Sequence, residues 1–111
     1  MRRAEVRMHG IPAGLLEEHE DFYRFSYFPE YLTSTDAVPV GLSLPLQSTP
    51  HEDVRLFPFF DGLIPEGWLL EIAERTWKLN PRDRMGLLLA CCRDCIGAAG
   101  IWPLPEEAPH D

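Results

Sequence analysis

Residues Arg55 to Trp68 read RLFPFFDGLIPEGW: three phenylalanines, a tryptophan, two prolines and two glycines within fourteen positions. This composition describes a corner. Leu56, Phe57, Phe59 and Phe60 are too apolar for a free loop, and Pro58 and Pro65 forbid one continuous helix, because each removes an N–H and clashes with the preceding turn. The chain must fold this corner against a core. Pro65 then suits the first turn of a helix, Glu66 complements its N-terminal dipole, and the apolar residues from Gly67 to Trp77 recur at three- and four-residue spacing. The corner therefore joins a half patterned as strands to a half patterned as helices.

Upstream, Ala4 to His9 alternates as a short strand, and Gly10 with Pro12 supplies a turn before Ala13 to Glu18. Phe22 to Phe28 has the aromatic enrichment of a further strand. Pro29 to Leu32 ends it in an irregular or 3₁₀ turn, and Val38 to Leu46 alternates again around Gly41 and Ser43, predicting another strand closed by Pro45. Gln47 to Asp53 reads as a surface loop with a mobile tip.

Downstream, the spacing predicts a helix over 66–78, with Leu69, Ile72, Ala73 and Thr76 on one stripe. Asn80 is expected to cap a second helix over 81–92, with Pro81 at its first position and Asp83 at its third. Ile96 to Trp102 closes as a glycine-spaced strand. Pro103 to Asp111 is an acidic, proline-rich tail expected to fray. The fold class is α+β: a small antiparallel sheet with a two-helix C-terminal half packed on it, one domain over 1–103 and a tail over 104–111.

A chain of 111 residues can bury roughly two-thirds of its unfolded surface, so a core without disulfides is feasible. Hydrophobic content of 45% argues against disorder, and no apolar run approaches the roughly 20 residues of a membrane span. Residues 1–10 lack the apolar region of a secretory signal, which makes the cytoplasm the expected compartment. A net charge of −8 repels phosphate backbones and anionic lipid and disfavours direct nucleic-acid or membrane binding.

Cys91, Cys92 and Cys95 crowd into five positions. Cys92-Arg93-Asp94-Cys95 is a C-x-x-C, but a structural zinc site wants four ligands, Cys91 points about 100° away on a helix, and a redox motif would need a βαβ context. They read as reduced, structural thiols, with no metal and no cofactor. No phosphate-binding glycine loop or nucleophile elbow occurs, and catalytic residues are not expected. Trp68, on the first turn of a helix, is the candidate anchor for a protein partner, since Trp dominates interface hot spots. The competing reading makes it a lid on its own core.

Three motifs in order, VGLSLPL at Val40–Leu46, LFPFFDGLIPEG at Leu56–Gly67 and DCIGA at Asp94–Ala98, resemble the amino-terminal subdomain of HipA-like serine/threonine kinases, over about Phe22 to Pro103. In that family the subdomain precedes a kinase core. This chain reaches Asp111 without the kinase's phosphate-binding and catalytic loops, and so is not expected to be an enzyme. Free-standing versions of the subdomain are the HipS-like small subunits of bacterial HipBST toxin–antitoxin systems. The resemblance implies a partner kinase toxin of the HipT type, which such subunits bind and hold inactive, and a HipB-like helix-turn-helix protein that contacts DNA. A non-inhibitory module bridging kinase and repressor, and a small redox or metal protein, are the rival readings. The expected partner-binding residues are Phe59, Phe60, Asp61, Ile64, Pro65, Glu66, Gly67 and Trp68. An acidic subunit also suits a basic nucleotide-binding cleft on such a kinase.

Overall fold

The computed structural model describes residues 2–64, 83–91 and 99–104. Its elements are β1 (Arg3–Met8), β2 (Ile11–Glu18), β3 (Tyr23–Tyr27), α1 (Pro29–Leu32), β4 (His51–Asp53), α2 (Pro58–Asp61), α3 (Arg84–Cys91) and β5 (Ala99–Leu104). The strands form one antiparallel sheet in the order β4-β3-β2-β1-β5. The last strand thus returns to the open side of the first, which makes the sheet a contact of high sequence separation.

The β1–β2 turn is His9-Gly10, flanked by the Met8↔Ile11 pair, with φ of 52° and 79°. Positive φ at both central residues is the twist that a two-residue hairpin needs, and glycine adopts it without steric cost. Pro12 lies inside β2, not in the turn. It is tolerated there because the register slips between Val6 and Arg7, and because β3 pairs with β2 only from Gly14 onward, so the missing N–H faces no neighbouring strand.

Strict alternation in β1, with Ala4, Val6 and Met8 buried, defines one apolar face. Leu16, Phe25, Tyr27, Ala99 and Ile101 extend it, and Tyr31, Leu56, Phe57, Phe60, Ile64, Met85, Leu87 and Leu88 cover it. On the opposite face, adjacent register positions place Arg3, Glu17, Arg24 and Glu52 in one row of alternating charge. Arg24 bonds Glu52 at 2.8 Å and approaches Glu17 at 3.8 Å. Arg7 lies over the Trp102 ring at 4.5 Å, so Trp102 is half-buried on this outer face and not in the core.

Three expectations are corrected. Val38 to Leu46 is not a strand; it carries only an isolated Gly41↔Leu44 bridge. Pro39 and Pro45 deprive the segment of ladder donors, and its backbone bonds go to tyrosine hydroxyls. The strand beside β3 is instead His51–Asp53, inside the stretch expected to be a loop. Tyr23↔Asp53, Arg24↔Glu52 and Phe25↔His51 pair there, so cross-strand charge and aromatic contact outweigh low strand propensity. At α3, Asp83 directly precedes the helix, its carboxylate accepting the Gly86 N–H at 3.1 Å and its carbonyl the Leu87 N–H at 3.0 Å. Asp83 is the cap itself, not a third helical residue.

Pro29–Leu32 forms one α-helical turn with Pro29 at its start. The antiparallel sheet stands as expected, with the closing strand displaced to Ala99–Leu104. The expected helix over 66–78, Asn80 and Pro81, Cys92 and Cys95, and the tail from Pro105 lie outside the described residues. Among the described residues, no helix is long and apolar enough to cross a membrane.

Candidate partner-binding surface

Among the described residues the corner contains one short helix, α2. Phe57 is extended before it, Pro58 occupies its first position, and Gly62 follows it, with the Gly62 N–H donating to the Pro58 carbonyl at 2.9 Å. The Leu63 N–H to Phe60 and the Ile64 N–H to Asp61, at 3.1 and 3.2 Å, continue the turn. A single turn throws consecutive side chains to different sides. Phe60 is 0% exposed, 5.4 Å from the Phe25 ring and edge-on to Phe57 at 6.1 Å. Ile64 is buried beside it.

Phe59 and Asp61 are only partly buried. Phe59 is half-buried, edge-on to Phe60 at 5.2 Å, and its ring lies so close to Gly41 that a Cβ there would fall 2.9 Å from it. Asp61 accepts a hydrogen bond from Arg84 Nε at 2.6 Å, joining the corner to the first residue of α3. The two side chains are each 41% exposed, so the pair is solvent-screened and serves orientation more than stability. Of the eight residues expected to bind a partner, the structure thus brings Phe59, Phe60, Asp61 and Ile64 together, two partly exposed and two buried. Pro65, Glu66, Gly67 and Trp68 lie outside the described residues.

Beside the corner, Tyr23, Val54, Arg55, Leu56, Asp61 and Arg84 line an open cleft of about 460 Å³. Burial, with the nearby Glu18 carboxylate, raises the Tyr23 hydroxyl above its ordinary value. The cleft holds charge of both signs around an apolar floor. Among the described residues no three His, Cys, Asp or Glu side chains converge as metal ligands.

Two tyrosines that sequence reasoning placed only in a strand and a turn organise the other flank. Tyr27 Oη accepts the Val40 N–H at 2.9 Å and donates to the Leu44 carbonyl. Tyr31 Oη accepts the Val38 N–H at 3.1 Å and donates to the Val38 carbonyl at 2.7 Å. Their rings stack at 6.0 Å. The run from Ala37 to Pro50 carries no charge, which marks it as apolar but does not tell a ladder from a segment held by side chains.

This sheet and corner define a known class of domain. The family model for the HipA N-terminal domain matches residues 4–101. The chain belongs to the HipA N-terminal domain family. A solved structure of the N-terminal domain of HipA toxin superposes with a TM-score of 0.75 at 30% identity, covering 96% of each chain. A Haemophilus influenzae protein without an assigned role is 33% identical over 101 residues, 91% of this chain and 92% of that one. The Sinorhizobium fredii protein Y4mE, which carries a kinase designation, is 28% identical over 83 residues, 75% of this chain but only 20% of Y4mE. The domain thus occurs both as most of a small protein and as a fifth of a longer one. Family membership relates this chain to HipA toxin–antitoxin components and, in general terms, to kinase toxins.

Proposed function

We propose that this chain is a HipS-like antitoxin: it binds a separate HipT- or HipA-like serine/threonine kinase and holds it inactive, within a complex whose DNA-binding member is a HipB-like helix-turn-helix protein. The observation that carries this reading is the match along nearly the whole of both chains to the N-terminal domain of HipA toxin, a domain that occupies only a fifth of the kinase-designated relative. A domain of this family folded apart from a kinase keeps the surface with which it would contact one. The corner from Phe59 to Trp68 is the proposed contact, with Phe60 and Ile64 as its buried base and Phe59 and Asp61 partly exposed.

On this reading the chain performs no catalysis and contacts no nucleic acid itself. Its charge of −8 supports approach to a basic nucleotide cleft and leaves phosphate backbones to the repressor. Co-expression tests the proposal. A HipA-like kinase lacking its own N-terminal domain arrests growth when expressed alone; the chain restores growth and co-purifies with the kinase. Co-purification without rescue favours the bridging module, and the absence of both rescue and co-purification refutes the kinase partnership.

A further inference from the structure

The segment between α1 and β4 alternates like a strand while pairing like a loop. Val40 and Leu44 are buried, whereas Val38 is 44%, Leu42 106% and Leu46 36% exposed. Inward residues anchor it; outward ones meet solvent. Such exposure would be unremarked at a frayed tip, but this backbone is held from beneath at Val38, Val40 and Leu44 by the Tyr27 and Tyr31 hydroxyls. The Leu44 N–H closes onto the Gly41 carbonyl at 3.1 Å, and His51 Nε2 lies 2.9 Å from the Pro45 carbonyl. Pro39 and Pro45 further limit its freedom.

We infer that this segment is a second, preorganised docking element, presenting Val38, Leu42 and Leu46 to an apolar groove on the catalytic part of a HipA-like kinase. The inference rests on the proposed kinase partnership and extends it to a surface outside the corner. The occupant comes from that proposed partnership, and two observations make this segment part of the same contact. The run from Ala37 to Pro50 contains no charged residue in a chain that is 25% charged, and depletion of charge marks the core of a protein interface in place of its rim. Gly41 lies against the Phe59 ring, so the segment and the corner form one continuous surface. A rigid apolar side chain projected from a clamped backbone loses little entropy on docking, which is the condition for a strong anchor.

The test measures affinity of the folded chain for a HipA-like kinase expressed without its own N-terminal domain, by titration calorimetry. Leu42→Asp, whose side chain stands in solvent, retains the wild-type melting temperature and binds at least about ten-fold more weakly. Gly41→Ala, which pushes the segment off Phe59, also weakens binding, and thermal unfolding separates that effect from misfolding. Leu42→Asp and Leu46→Asp both binding within about twofold of wild type would overturn the inference while leaving the kinase partnership intact. Failure of the wild-type chain to bind refutes the partnership and the inference with it.

Discussion

Arg2 grips Asp83 across 81 positions of sequence, Nη1 to Oδ2 at 2.9 Å and Nη2 to Oδ1 at 2.7 Å, while its other edge holds Glu18 at 2.6 and 2.8 Å. One guanidinium therefore joins the start of β1, the end of β2 and the cap of α3. Its hydrogen bonds hold the Asp83 carboxyl below its ordinary value against a modest opposing effect of burial.

Asp83→Asn should keep the cap and lose the charge, whereas Asp83→Ala loses both. With the Asp83 side chain 38% exposed, the ion pair contributes about 0.5–1 kcal/mol and the cap about 1 kcal/mol more. Because the folded value is lowered, the carboxylate's contribution is complete above the unfolded value of 3.8 and disappears as pH falls through the folded one. Urea melts from neutral to acid pH check this: wild type and Asp83→Asn should converge in the acid limb.

Tyr27→Phe removes a hydroxyl that serves Val40 and Leu44 together, stranding a buried donor and a buried acceptor. The expected cost is about 1–3 kcal/mol, a fall of roughly 4–12 °C in melting temperature. Burial raises this hydroxyl above its ordinary value of 10.0. Its contribution is therefore intact below pH 10 and is lost as pH rises through the raised value, a limb that Tyr27→Phe should flatten. Amide exchange at Val40 supplies the local readout.

Gly14→Ala is expected to cost about 1–3 kcal/mol, because a Cβ there would fall 2.5 Å from the Ser26 carbonyl oxygen and 2.7 Å from the Phe25 ring. Gly10→Ala meets nothing within 4 Å, but its φ of +79° is strained for alanine, and about 1 kcal/mol is expected. Chemical denaturation of the two variants distinguishes crowding from conformation; equal, negligible losses would contradict both assignments.

Much of the architecture was legible where periodicity and burial agree. In β1 and β3, alternating residues share one apolar face, and alternation in the first and aromatic enrichment in the second located them to within a residue at each end. The region from Val38 to Asp53 was misread for a physical reason: its alternation is real, but the partner of its backbone is a pair of tyrosine hydroxyls, a tertiary contact with no local signature. His51-Glu52-Asp53 has poor strand propensity and pairs through Phe25, Arg24 and Tyr23. At the corner, the sequence showed that the aromatics must fold against a core but not their division, since one helical turn decides that Phe60 enters the core while Phe59 lies against Gly41.

That division sets the controls for any binding study. Phe60→Ala should cost about 3–5 kcal/mol of stability, so weaker binding in that variant reports unfolding. Asp61→Ala, with its screened Arg84 pair, should cost less than about 1 kcal/mol and report contact. Melting temperatures beside affinities check the contrast, and similar destabilisation by both would refute it.

The most direct test of the antitoxin proposal is the phosphoryl-transfer rate of a HipA-like kinase, expressed without its own N-terminal domain, measured as this chain is titrated from none to a molar excess. The proposal predicts that autophosphorylation falls to near background as the chain is added, saturating at a fixed stoichiometry. A rate unchanged by a bound, folded chain would contradict it.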